Sequence, residues 1–213
     1  MAGLGIGPDQ FAIFRMVDPE ERADALDGAL LPALALVGDG LVAGLSRLAA
    51  ASLAQQQGKL QRRKGVAPQE VLVAFCPGDK NYQKVPHFAL AATRAHLHAR
   101  VAARSAADRD GAIRRALERE ATNLARKGKP FRKLRNYDRW DPDHEELPEI
   151  APAHSAAFWN EVAEALAGDR NGSGSIDLGI AWTAEEARSL SLGDVLGAFR
   201  DLTPLYKLLA GAK

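Results

Sequence analysis

The chain has 213 residues, which fits one large domain or two small ones, and 46% of them are apolar, enough to bury a sizeable core. One cysteine, Cys76, excludes an intramolecular disulfide scaffold and suits a reducing cytoplasm. The net charge of +1 hides a segregation: residues 1–58 carry 3 basic and 7 acidic side chains (net −4), residues 59–139 carry 20 and 7 (net +13), and residues 140–213 carry 5 and 13 (net −8). Such a basic middle either is neutralised by the ends across the fold or meets a polyanion or phosphorylated ligand.

The start, MAGLGIGPDQ, has neither a basic n-region nor an apolar h-region, so no secretory signal is expected, and residues 1–8 are expected to be flexible. Residues 11–17 (FAIFRMV) read as a short strand. VDPEE then opens a helix, with Asp18 as cap, Pro19 at the first helical position and Glu21 placed for a capping box. Leu26, Leu30, Leu34 and Val37 continue its stripe, which Pro32 should kink or split. The apolar run over residues 28–37 is too short to span a bilayer, so a soluble, cytoplasmic protein without membrane contact is expected. After VGDG a second helix is expected over residues 41–57, with Gly58 as its C-cap.

The pattern changes at Glu70. VLVAFC and HFALAA are strand-length apolar runs, and RAHLHARVAAR (residues 94–104) alternates strictly. Ala95, Leu97, Ala99, Val101 and Ala103 take one face, and Arg94, His96, His98, Arg100 and Arg104 take the other. The last two runs form an antiparallel hairpin turning near Thr93 and Arg94. Residues 108–127 read as an amphipathic helix with Ile113, Ala116, Leu117, Ala121 and Leu124 as its buried stripe and Gly128 as its end. Residues 131–137 read as a strand, DPDHEELPE as an acidic loop, and Pro152 as the opening of a helix carrying Phe158, Val162 and Leu166. SIDLGIAW is a strand, and residues 192–209 are a C-terminal helix. Strands and helices mixed without βαβα alternation give the α+β class, an antiparallel sheet with packed helices.

DRNGSGSIDLGI (residues 169–180) places Asp169, Asn171, Ser173, Gly174 and Asp177 at the ligand and turn positions of an EF-hand loop. Its twelfth position, however, is Ile180 where a bidentate glutamate belongs, and no partner EF-hand exists. A helix-to-strand turn accounts for the same residues.

Taken in order, FAIFRMVDPEERADAL, QRRKGVAPQEVLVAF, NYQKVPHFAL and DLTPLYKLL resemble the YktB-like family of uncharacterised bacterial proteins, a domain of unknown function. The resemblance spans nearly the whole chain. It implies a single α+β domain loosely similar to a half TATA-binding-protein-like unit, and no established activity. The matching positions are Arg62, Arg63, Tyr82, Lys84, Pro86, His87 and Phe88. His98 and Arg100 stand where the family pattern leads one to expect aromatics, and residues 129–150 match poorly.

The candidate ligand site is Lys80, Tyr82, Lys84 and His87 with Arg62 and Arg63, extended along the hairpin by Arg94, His96, His98 and Arg100. Guanidinium forks and ammonium groups suit phosphates or carboxylates, and Tyr82 can stack on a base or sugar. An exposed loop with a structural Pro86 and a hydrogen-bonded His87 explains the same residues. His96 and His98 lie about 7 Å apart on one strand face but lack a third ligand, so neither metal nor cofactor is assigned. Asp141, Asp143, His144, Glu145 and Glu146 read as an acidic linker, and Cys76 as a small core residue. No phosphate loop, dinucleotide fingerprint, HExxH, GxSxG or paired CxxC motif occurs. Two functions follow. One is a non-enzymatic binding protein whose basic central sheet engages nucleic acid or a phosphorylated small molecule. The other is an enzyme acting on a small anionic substrate with His87 as acid/base and Lys84, Arg62 or Arg63 as clamps.

Overall fold

The computed structural model describes residues 3–60, 65–78, 80–127, 135–136, 155–167 and 174–212. Its strands are β1 (Leu53–Gln57), β2 (Glu70–Pro77), β3 (His87–Thr93), β4 (His96–Arg104), β5 (Arg135–Asn136) and β6 (Ser175–Thr183). They form one six-stranded sheet in the order β1-β2-β3-β4-β6-β5, with every neighbouring pair antiparallel. Among the described residues the helices are α1 (Pro8–Phe11), α2 (Pro19–Ala25), α3 (Leu31–Ala49), α4 (Ala112–Arg126), α5 (Ala156–Ala167), α6 (Ala184–Ser189) and α7 (Leu192–Ala210). The α+β expectation holds. So does the hairpin, with Phe88 opposite Val101 and Leu90 opposite Ala99.

One sheet face is an apolar core. Val71, Val73 and Phe75 from β2 and Phe88, Leu90 and Ala92 from β3 join Leu97, Ala99 and Val101 from β4, all buried. Phe199 on α7 sits edge-on to Phe75 and Phe88, and Tyr206 stacks on Phe88 with ring centroids 4.2 Å apart. Helix α3 lies against β1 and β2, α7 against β3 and β4, and α5 against β6. Cys76 is fully buried, as a small core residue should be.

The N-terminal third departs from the sequence reading. Residues 11–17 are not a strand: α1 runs into a 3-10 turn, Ala12–Arg15. Phe11 and Phe14 are both buried while Ala12 and Arg15 are exposed, the three-residue spacing of a helical turn rather than alternation. Within the segment expected to be flexible, Ile6 is buried and the Leu4 N–H donates to the Leu190 carbonyl. Asp18 caps α2 as expected, its carboxylate accepting from the N–H groups of Glu20 and Glu21. The Pro32 disruption takes the form of a π-helical segment, Leu26–Leu30, that leads into α3. Proline removes one N–H from the ladder, and a wider turn accommodates the loss.

The second expected helix does not exist as such. Helix α3 passes through Gly38, Asp39 and Gly40 and ends at Ala50, whose φ of 56° makes it a left-handed cap; LAQQQ is β1. Gly38 serves close packing rather than a turn, because a Cβ there would collide with the side chains of Gln55 and Phe75. Gly58 follows β1 and bonds through its N–H to the Leu72 carbonyl. The continuous helix Pro19–Ala49 is by length and composition apolar enough to cross a membrane. Its Leu30, Leu34, Leu41 and Leu45 are buried in the core that the sheet shares.

Helix α4 begins at Ala112, later than expected, because Asp108 acts as its anchor rather than its first residue. The Asp108 carboxylate accepts from the Ile113 N–H and from Arg114 Nε. The stripe Ile113, Ala116, Leu117, Ala121 and Leu124 is buried as read. Helix α5 carries Phe158, Val162 and Leu166 as read, whereas Gly128, Pro152, residues 131–134 and the acidic loop lie outside the described residues.

Candidate functional site

The second face of the sheet is buried too, but it is polar. Alternation sends His96, His98, Arg100 and Arg104 of β4 to this face, together with His87 and Thr93 of β3 and Asp177 of β6. Small neighbours make the room. Arg100 lies between Ala89 and Gly179, His98 between Ala91 and Ala181, and Ala102 separates His87 from Asp177. Gly179 is needed there, since a Cβ would meet the Ala99 carbonyl and Arg100 Cγ.

A chain of ion pairs crosses this face. Arg100, only 4% exposed, places Nη2 2.5 Å from Glu70 Oε2 and Nη1 3.7 Å from Asp177 Oδ1. Asp177, 5% exposed, also accepts from Arg104 Nη1 at 2.9 Å. Burying this much charge is tolerable only because each group meets its opposite. The outer members differ from the inner ones: the Glu70 and Arg104 side chains retain 31% and 38% exposure. Among the described residues Glu70 Oε1 and Arg104 Nε and Nη2 make no hydrogen bond.

Burial holds His87 and His98 neutral. His87 donates from Nδ1 to the Val85 carbonyl at 3.0 Å, and burial pushes its pKa down to about 4. Its ring meets the Tyr82 ring edge-on at 5.1 Å. His98 lies well below the usual histidine range, first because of burial and then because of the neighbouring Arg100 and His96. The Thr93 hydroxyl donates to the His96 carbonyl and therefore accepts from His98 Nε2 at 2.9 Å. His96 and His98 rings are 5.9 Å apart, and no cluster of three metal-ligating side chains occurs among the described residues.

Glu70 and Arg104 both line a cavity of about 580 Å³, together with Lys59, Leu72, Tyr82 and Gln83. Tyr82 is held in place, its N–H donating to Gln56 Oε1 and its hydroxyl accepting from Gln83 Nε2. A cavity of this size holds a small metabolite. A second cleft of about 700 Å³ lies at the start of α4 and the end of α7, lined by Lys84, Arg109, Asp110 and Arg115. None of the buried sheet residues reaches it.

The sequence candidates thus divide. Tyr82 and His87 come together beside Arg100, while Lys84 faces the other cleft. Lys80 belongs to the turn after β2, where its carbonyl accepts from Gln56 Nε2. Arg94 sits half-buried at the hairpin turn. Arg62 and Arg63 lie outside the described residues, in the segment between Leu60 and Gly65. Sequence reasoning placed Arg104 on the basic face of the hairpin but left Glu70 and Asp177 out of the anion site. The available signal was a carboxylate inside each of two strand-like runs, EVLVAFC and SIDLGIAW, where a charge needs a partner. In the EF-hand reading Asp177 was a ligand. In the fold it is a β6 residue hydrogen-bonded to Arg104 and ion-paired with Arg100, and Ile180 is paired with Ala99 in the same sheet. Residues 169–173 of that segment lie outside the described residues.

A family model described as a domain of unknown function (DUF1054) matches residues 7–206. No curated protein matches the chain.

Proposed function

We propose that this chain, which belongs to the DUF1054 family, is a binding protein for a small phosphorylated ligand held in the cavity between Glu70, Tyr82 and Arg104. One observation carries the reading. Arg104 is fixed by Asp177 through a single nitrogen, its Nε and Nη2 make no hydrogen bond among the described residues, and it lines a cavity that Lys59 also lines. A guanidinium oriented in advance binds a phosphate without the entropy cost of ordering it. The likeness to YktB-like bacterial proteins is part of this reading and rests on QRRKGVAPQEVLVAF and NYQKVPHFAL.

A nucleic-acid surface is the less favoured form of the binding reading, because Arg100 is buried and neutralised by two carboxylates. An extended backbone needs several exposed cations in a row. Acid–base catalysis by His87 is disfavoured as well: the residue is 1% exposed, and a pKa of about 4 leaves it a poor proton acceptor at neutral pH.

Isothermal titration with methyl phosphate, pyrophosphate and ribose 5-phosphate tests the proposal. At least one should bind, and Arg104→Gln should weaken it about tenfold or more while leaving the melting temperature nearly unchanged, since glutamine can still donate to Asp177. Absence of binding by all three at millimolar concentration would overturn it. So would salt-sensitive binding of labelled single-stranded RNA alone.

A further inference from the structure

We infer that the ligand of this cavity carries hydroxyl or amino hydrogen-bond donors as well as its phosphate, and that Glu70 selects for them. The inference rests on the phosphate-binding reading and deepens it. Lining a pure anion site with a carboxylate is unfavourable, because the carboxylate repels the anion. Yet Glu70 lines the same cavity as Arg104 and Lys59. Its Oε2 is engaged by Arg100, which fixes the carboxylate plane, and its Oε1 is an unoccupied acceptor among the described residues.

The ion-pair chain beneath the cavity explains how both poles persist. Glu70, Arg100, Asp177 and Arg104 alternate in sign, and only the terminal two reach the cavity wall. The inner arginine holds the Glu70 carboxylate in place, and the inner aspartate does the same for the Arg104 guanidinium. The wall therefore presents one fixed acceptor and one fixed pair of donors. A ligand matching both has a phosphate at one position and donor groups at another, as a sugar phosphate or a phosphorylated amine does. Such a site rejects a phosphate lacking donors, because the half-buried carboxylate is then left facing an anion.

Ribose 5-phosphate and methyl phosphate separate the two ideas. The native protein should bind ribose 5-phosphate about tenfold more tightly than methyl phosphate, the discrimination expected of one charge-assisted hydrogen bond. In Glu70→Gln that preference should shrink to about twofold or less, while affinity for methyl phosphate stays level or rises as the repulsion is removed. A residue that merely stabilised the fold would weaken both ligands together. Equal affinity of the native protein for the two ligands would overturn this inference and leave the phosphate reading standing. No binding of either would remove the reading itself. O-phosphoethanolamine in the same titration shows whether the favoured donor is an amine or a hydroxyl, and either result supports selection by Glu70.

Discussion

The two faces of this sheet are buried to a similar degree and built by opposite rules. On one, Phe75, Phe88, Phe199 and Tyr206 interlock in edge and stacked contacts, and stability grows with apolar area removed from water. On the other, Glu70, Arg100, Asp177 and Arg104 form a charged chain in a bed of alanines and one glycine. Here burial contributes little net stability, since desolvation offsets most of the attraction. What it contributes is orientation. The apolar face holds the sheet together, and the polar face holds particular atoms in particular places.

The comparison breaks most sharply at its two centres, where the largest effects are expected. Phe199→Ala should cost about 3–5 kcal/mol by leaving a cavity against Phe75 and Phe88, read from urea unfolding. Arg100→Met should cost about 3 kcal/mol, because Glu70 loses its partner while Asp177 keeps Arg104. The two should differ in rescue. Adding Glu70→Gln to Arg100→Met should recover part of the loss, because the unpaired charge is then gone. The same substitution added to Phe199→Ala should recover nothing. Equal behaviour in both backgrounds would mean that the polar face is not charged in the way described.

Acid gives the next effect. The His87 pKa is depressed to about 4 in the folded protein, whereas an unfolded histidine titrates near 6.5. Between those values the unfolded state binds the proton and the folded state does not, so stability is full above about 6.5 and falls as pH drops toward 4. The share owed to His87 is roughly 3 kcal/mol over that window. His87→Asn, whose amide can still donate to the Val85 carbonyl, should flatten the slope, measured as unfolding free energy against pH. A slope unchanged by the substitution would show that His87 is not held neutral by burial.

The smallest effect expected is at Gly179. A Cβ there presses on the Ala99 carbonyl and Arg100 Cγ, so Gly179→Ala should destabilise by about 1–3 kcal/mol. It should also weaken ligand binding through displaced Arg100. The control is Ala35→Gly in α3, a member of the apolar core, which should cost stability without altering affinity.

Much of the architecture was legible because local patterns carried it. VLVAFC, HFALAA, AHLHARVAAR and SIDLGIAW each declared a strand, and the stripe of α4 was read residue for residue. FAIFRMV and LAQQQ misled, one because aromatic content outweighed a three-residue spacing, the other because a polar run after a long helix resembles its continuation. The candidate site was legible only in part. Tyr82 and His87 were singled out, but Arg94, His96, His98 and Arg100 looked like the wet side of a hairpin, since alternation reports which residues share a face and not what covers it.

By itself the sequence determined the strands, the alternation of β4, the capped helix at Asp18 and the α+β class, because each depends on residues close in the chain. It also determined that a charged middle must be answered somewhere. Only the tertiary structure decided where. Glu70 and Asp177 stand 30 residues before and 77 residues after Arg100, and strand pairing alone brings them to it. Electrostatic neutralisation is a property of distance in space, which a linear chain does not state.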